Sequence, residues 1–178
     1  MKKARKGRSK LILVLGGAAS GKSQAALDLA GQAGPKAFVA TGQALDLEME
    51  ARIERHRATR SSDWETAEVP ADLALWVGEN GMNYQTIVLD CLTLWLSNLR
   101  GHRLHDLAVS EATAELLHAI RATRARVVIV SNELGLGLVP ATTAVRAFRD
   151  LAGRVNQQVA AEADEVYLTI SGCPLRLK

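Results

Sequence analysis

The stretch Gly16-Gly17-Ala18-Ala19-Ser20-Gly21-Lys22-Ser23 fits G-x-x-x-x-G-K-[ST] at every fixed position. An aliphatic run precedes it and a helical pattern follows, the context in which this loop cradles phosphates. The glycines let the backbone wrap closely round anionic oxygens, and its N–H groups gather at a helix N-terminus whose dipole favours negative charge. Lys22 would then reach the β- and γ-phosphates, and the Ser23 hydroxyl would ligate Mg²⁺. A turn that merely packs a helix on a strand needs neither Lys nor Ser in that register. The residues call for a nucleoside triphosphate.

A loop of this kind works with a carboxylate at the end of a neighbouring strand. Asp90 closes the run Ile87-Val88-Leu89 and is the first candidate, for nucleotide and metal alike; Glu133, beyond Val127–Val130, is the second. No N-K-x-D guanine-reading sequence occurs, which argues against a Ras-like switch. A second constellation lies on the amphipathic segment Leu45–Thr59, where Leu45, Met49, Ile53 and His56 form one stripe. Arg52, Arg55, Arg57 and Arg60 surround the histidine. Such guanidinium groups gather phosphate, and they disfavour the imidazolium, leaving a neutral nucleophile. A solvated charged helix face explains the same pattern equally well. His102 and His105 form H-x-x-H without a third ligand in reach, and no metal is assigned to them or to His118. Trp64, Trp76 and Trp95 read as packing residues.

The elements that would position these groups are legible from periodicity. Leu11–Leu15, Lys36–Ala40, Thr86–Asp90, Arg126–Ser131 and Glu165–Ile170 read as buried strands. Between them Lys22–Ala33, Leu45–Thr59, Ala108–Thr123 and Thr142–Ala163 carry helical spacing. Alternating strands and helices predict an α/β fold with a mainly parallel sheet flanked by helices. The chain has 178 residues, 48% of them hydrophobic and 23% charged, as expected of one globular domain over residues 11–178. The net charge of +3 is local: six of the 22 basic residues stand among the first ten positions, which contain no acid. Those ten residues are expected to be a disordered tail on a mildly acidic body. The longest apolar run is too short to span a bilayer. With two cysteines far apart and no signal-peptide pattern, a cytoplasmic location is expected.

Three further stretches complete a pattern: Asp90-Cys91-Leu92-Thr93-Leu94-Trp95-Leu96-Ser97-Asn98, the run Ser131 to Pro140, and Phe148-Arg149-Asp150-Leu151-Ala152-Gly153-Arg154-Val155-Asn156-Gln157-Gln158 running on to Ala163-Asp164-Glu165-Val166-Tyr167. Together they resemble the bifunctional adenosylcobinamide kinase / adenosylcobinamide-phosphate guanylyltransferases over roughly residues 11–178. The resemblance implies a RecA-like P-loop fold, a homotrimer, a corrinoid substrate, and ATP and GTP as phosphoryl and nucleotidyl donors. It implies phosphorylation of the aminopropanol arm of adenosylcobinamide. GMP transfer follows through a histidine, giving adenosylcobinamide-GDP and pyrophosphate. His56 matches the guanylylated histidine, with Lys22 as the other catalytic residue. Gly16 to Ser23, Thr41, Gly42, Gln43, Arg57, Ala58, Thr59, Arg60, Glu68 and Asp90 match nucleotide-binding positions, and Glu68 is a guess at the kinase base. Two departures stand out: Ala19 replaces the usual Arg, and Arg55 precedes His56 where a close relative has a second histidine.

Other readings are a chain retaining only one of the two activities, and a regulatory or nucleic-acid-associated ATPase that uses the basic tail. The last is disfavoured by the absence of a basic stripe and by an aromatic content of 4%. It predicts nucleic-acid binding that weakens steeply with salt and vanishes on deletion of residues 1–10. The expected outcome of that titration is no such binding.

Overall fold

The structure, a computed structural model, describes residues 9–44, 51, 61–101 and 105–178. Alternate residues of the aliphatic runs point to opposite sides of one sheet. On β1 (Lys10–Gly16), Leu11, Leu13 and Leu15 face one layer while Ile12 and Val14 face the other. The same alternation, in register, runs through β2 (Lys36–Ala40), β4 (Thr86–Asp90) and β5 (Arg126–Asn132). Strands covered on both faces are apolar at every position, so their runs are continuous rather than alternating.

With β3 (Trp64–Glu68), β6 (Glu165–Ile170) and β7 (Cys173–Arg176), seven strands lie in the order β3-β2-β4-β5-β1-β6-β7. All neighbouring pairs are parallel except the last. Helix α1 (Lys22–Ala30) covers one face, where its small side chains Ala25, Ala26 and Ala30 pack on Ile12, Val14, Val88, Val128 and Val130. The other face carries α2 (Leu73–Asn80), α3 (Leu92–Gly101), α4 (Asp106–Ala122) and α5 (Thr143–Glu162), which bury the larger core. In that core Trp95 is 2% exposed, and its indole N–H donates to the Ala71 carbonyl at 2.6 Å. Trp76 stacks on Tyr84, and Trp64 meets Phe38 edge to face. The three tryptophans pack, as expected from the sequence.

Four elements escape the periodicity reading. β3 (Trp64–Glu68) and β7 (Cys173–Arg176) are edge strands with little to bury, so neither has an aliphatic run. Helices α2 and α3 are short, and the apolar run of α3 follows β4 so closely that no break marks its start. Residue Lys10 corrects the expected tail: it opens β1, and its ammonium pairs with Glu165 at 2.7 Å. Helix α1 ends at Ala30 rather than Ala33, since Gly31 leaves the helix at φ +78°. Of the expected helix Leu45–Thr59 only Ala51 is among the described residues, and it is helical.

Asp164, in the last quoted motif, secures the lower end of β1. Its carboxylate accepts the Leu11 N–H at 2.7 Å and an Arg121 N–H at 2.9 Å. Replacing Trp95 with Phe orphans the Ala71 carbonyl and leaves a void. The expected loss is about 2–3 kcal/mol of unfolding free energy by urea titration.

Candidate nucleotide site

Because the strands run parallel, their carboxyl ends share one edge of the sheet, and a doubly covered α/β sheet binds ligands there. The loop after β1 rises from this edge. Gly16 has no room for a side chain: a Cβ would lie 2.4 Å from Ser20 Oγ and 2.8 Å from the Thr169 carbonyl oxygen. Gly21 sits at φ +89°, a conformation open to glycine, and its Cβ would meet the Gly172 backbone at 3.0 Å. Ala19 is also left-handed, at φ +53°. Left-handed residues alternating with others turn successive N–H groups towards one point, which makes an anion nest.

Gly21 occupies the N-cap of α1 and offers no capping side chain. A helix N-terminus without a capping side chain favours an anion. The Lys22 ammonium, on a residue only 8% exposed, spans the loop and donates to the Gly17 carbonyl at 3.0 Å. A feature with no sequence signal supports the loop from outside. The turn Ser171–Gly172 between β6 (Glu165–Ile170) and β7 has both residues at positive φ, and the Gly172 N–H donates to the Ser20 carbonyl at 2.8 Å.

Asp90 ends β4, separated from β1 by β5. The electrostatics of Cys91 bring it together with Lys22. Burial, and after it the Asp90 carboxylate, push the Cys91 thiol up to about 11, against the opposing pull of the Lys22 ammonium and of backbone N–H groups. Both charges thus act on one point at the top of β4, and the thiol is inert near neutrality. Neither the Ser23 hydroxyl nor the Asp90 carboxylate hydrogen-bonds to another described residue. Glu133 is tied elsewhere: its N–H donates to the Gly16 carbonyl at 3.0 Å, and its carboxylate accepts the Gly135 N–H at 2.7 Å.

Thr41 follows β2 at the same edge, but its polar groups turn inward. Its fully buried hydroxyl donates to the Cys91 carbonyl at 2.8 Å and accepts the Cys91 N–H at 2.9 Å. The Asn98 amide closes this knot by donating to the Thr41 and Pro70 carbonyls, each at 2.8 Å. Gly42 and Gln43 follow on the same edge, with Gln43 exposed. Glu68 ends β3, four strands from β1, or roughly 19 Å at the usual strand spacing. His56, Arg57, Ala58, Thr59 and Arg60 lie outside the described residues. His105 caps α4, its ring nitrogen accepting the Ala108 N–H at 3.3 Å.

Thr41→Val keeps shape but unpairs both Cys91 backbone groups, at a cost of about 3 kcal/mol in chemical unfolding. Thr41→Ser retains the hydroxyl and stays within about 1 kcal/mol of the parent.

Residues 12–177 match the family described as cobinamide kinase / cobinamide phosphate guanyltransferase. The bifunctional adenosylcobalamin biosynthesis protein CobU of Salmonella typhimurium is 39% identical over 180 residues, which cover 94% of this chain and 99% of that protein. The bifunctional adenosylcobalamin biosynthesis protein CobP of Pseudomonas aeruginosa is 40% identical over 167 residues, 93% and 96% of the two chains. Among solved structures, the P4 protein from bacteriophage phi6 in complex with ADP superimposes with a TM-score of 0.50 at 16% identity. That match covers 98% of this chain and 56% of the other, and it speaks for the P-loop NTPase fold alone. The chain belongs to the cobinamide kinase / cobinamide phosphate guanyltransferase family.

Proposed function

We propose that this chain carries both reactions of its family. It transfers the γ-phosphoryl group of ATP or GTP to the hydroxyl of a cobinamide, and it then moves GMP from GTP onto the cobinamide phosphate. The observation that supports this most directly is the open phosphate cradle beneath an uncapped helix N-terminus, with Lys22 already inside it. In the first reaction Lys22 exchanges the Gly17 carbonyl for phosphate oxygens, so its charge is held ready rather than gathered at the moment of transfer. The N–H groups of the loop hold the β-phosphate, and in-line transfer then depends on positioning and charge neutralisation.

Ser23 and Asp90 are two oxygen donors that no described residue engages. Mg²⁺ takes one or two protein oxygens and completes its shell with water and phosphate, so this pair suits it. When bound, the ion neutralises charge on the phosphates.

In the second reaction a neutral His56 nitrogen attacks the α-phosphorus of GTP. A P–N bond forms, the bond to the bridging oxygen breaks, and pyrophosphate leaves. A phosphate oxygen of the cobinamide phosphate then attacks the same phosphorus, the P–N bond breaks, and the imidazole is regenerated. Covalent catalysis needs a group that both attacks and leaves, and imidazole does both. Arg57 and Arg60, with Ala58 and Thr59 between them, are assigned to the nucleotide, as are Gly42 and Gln43; Thr41 contributes by holding Cys91 beside Asp90. Ala19 supplies no guanidinium to the loop, so backbone N–H groups and Lys22 carry the phosphates. Among the described residues no helix is long and apolar enough to cross a membrane, and the enzyme is proposed to work in the cytoplasm as a homotrimer.

Labelled GTP separates the two halves. With the α-phosphate labelled, the denatured wild-type protein retains radioactivity that is stable to base and released by acid, and His56→Ala retains less than about 1% of it. Phosphorylation of cobinamide by that variant stays within a few-fold of the parent. Retention of the γ-label instead, or an unchanged α-label in the variant, assigns the nucleophile to another residue.

A further inference from the structure

Three buried side-chain oxygens in and around the cradle have no hydrogen bond: Ser20 Oγ and Thr169 Oγ1 at the loop, and Asn156 Oδ1 beside it, the one that lines a cleft. Asn156 on α5 is 5% exposed, and its amide nitrogen donates to the Asn132 carbonyl at 3.1 Å. That bond fixes the amide orientation and directs Oδ1, a buried acceptor with no hydrogen bond, away from it. Asn156 lines a cleft of about 580 Å³ together with Leu15, Glu133, Arg149, Gly153 and Gln157. A buried acceptor left unmatched is costly, so the site suits a ligand that donates an N–H or O–H.

The cleft borders the phosphate cradle. Glu133 lines it, and the Glu133 N–H is bonded to Gly16, the first residue of the loop. Its charged lining is balanced, with Arg149 and Arg154 against Glu133 and Asp150. A polyanion would find little net attraction there; a neutral group rich in amides and hydroxyls would find donors, acceptors and an unpaired oxygen. The volume accommodates an arm or a cluster of side groups rather than a whole macrocycle.

We propose that this cleft is the acceptor subsite: it receives an amide- and hydroxyl-bearing arm of the cobinamide, with an N–H or O–H of that arm donating to Asn156 Oδ1. The proposal rests on the family reading above and adds the place where the acceptor sits. The arm then lies on the sheet face opposite α1, and its reacting end reaches the phosphates past Glu133.

Gly153 provides the test. It lines the cleft, and a Cβ placed on it has no atom within 4 Å. Gly153→Leu therefore projects a side chain into the cleft from a Cβ that meets nothing, and it removes a helix-weakening glycine. Equilibrium dialysis of the full chain against cobinamide, followed by its own colour, is compared with ATP and GTP binding. The expected result is at least tenfold weaker cobinamide binding in Gly153→Leu, near-parental binding in Gly153→Ala, and nucleotide affinities within twofold of the parent. Unchanged cobinamide binding in Gly153→Leu overturns the placement and leaves the family reading standing. Loss of GTP binding with cobinamide binding retained assigns the cleft to the guanine base and also overturns it. Failure of the wild-type protein to bind cobinamide overturns both.

Discussion

Helix α1 begins without a side chain to satisfy its first N–H groups. Backbone donors of that kind need a partner, and an anion is the strongest available. Much else at this edge of the sheet serves to keep that helix end open and correctly aimed. Gly16 and Gly21 allow the loop to pass close to Ser20, Thr169 and Gly172. Small residues on α1 let it sit low on the sheet, and Lys22 supplies the one charge inside the loop.

The residues beyond the loop divide into those that can touch a ligand and those that hold others in place. Thr41 and Asn98 look functional by position, yet their hydrogen-bonding groups are spent on Cys91, Pro70 and each other. They fix the end of β4 and with it Asp90. At the end of β5 a second brace forms: the Thr93 hydroxyl accepts the Asn132 N–H at 2.9 Å, and the Asn156 amide donates to the Asn132 carbonyl. The long motifs that carry the family resemblance thus meet in space as mutual supports for three strand ends. Buried polar networks of this kind tolerate little change, because losing one member strands another.

The inner strands were legible because each is buried on both faces and so must be apolar throughout. The phosphate loop was legible because its constraints are local. Glycine is needed where the backbone is left-handed or crowded, and Lys and Ser are needed one helical step beyond. Burial is a property of neighbours, so β3 and β7, at the two edges, carry no comparable mark. The expected tail overran the start of β1 for a similar reason: Lys10 looks like the last basic residue of a charged run until Glu165, 155 positions away, is found beside it.

By itself the sequence determined the phosphate chemistry, the α/β class and the family, since each depends on residue types at short, fixed spacings. Tertiary structure alone decided which polar residues face a ligand and which are consumed inside. It set Glu68 four strands from the cradle, turned the Thr41 hydroxyl onto Cys91, and left the Asn156 oxygen unmatched beside a cleft. Hydrogen bonds between residues 50 apart, such as Thr41 and Cys91, leave no periodicity in a chain; they exist only once strand order has brought their ends together.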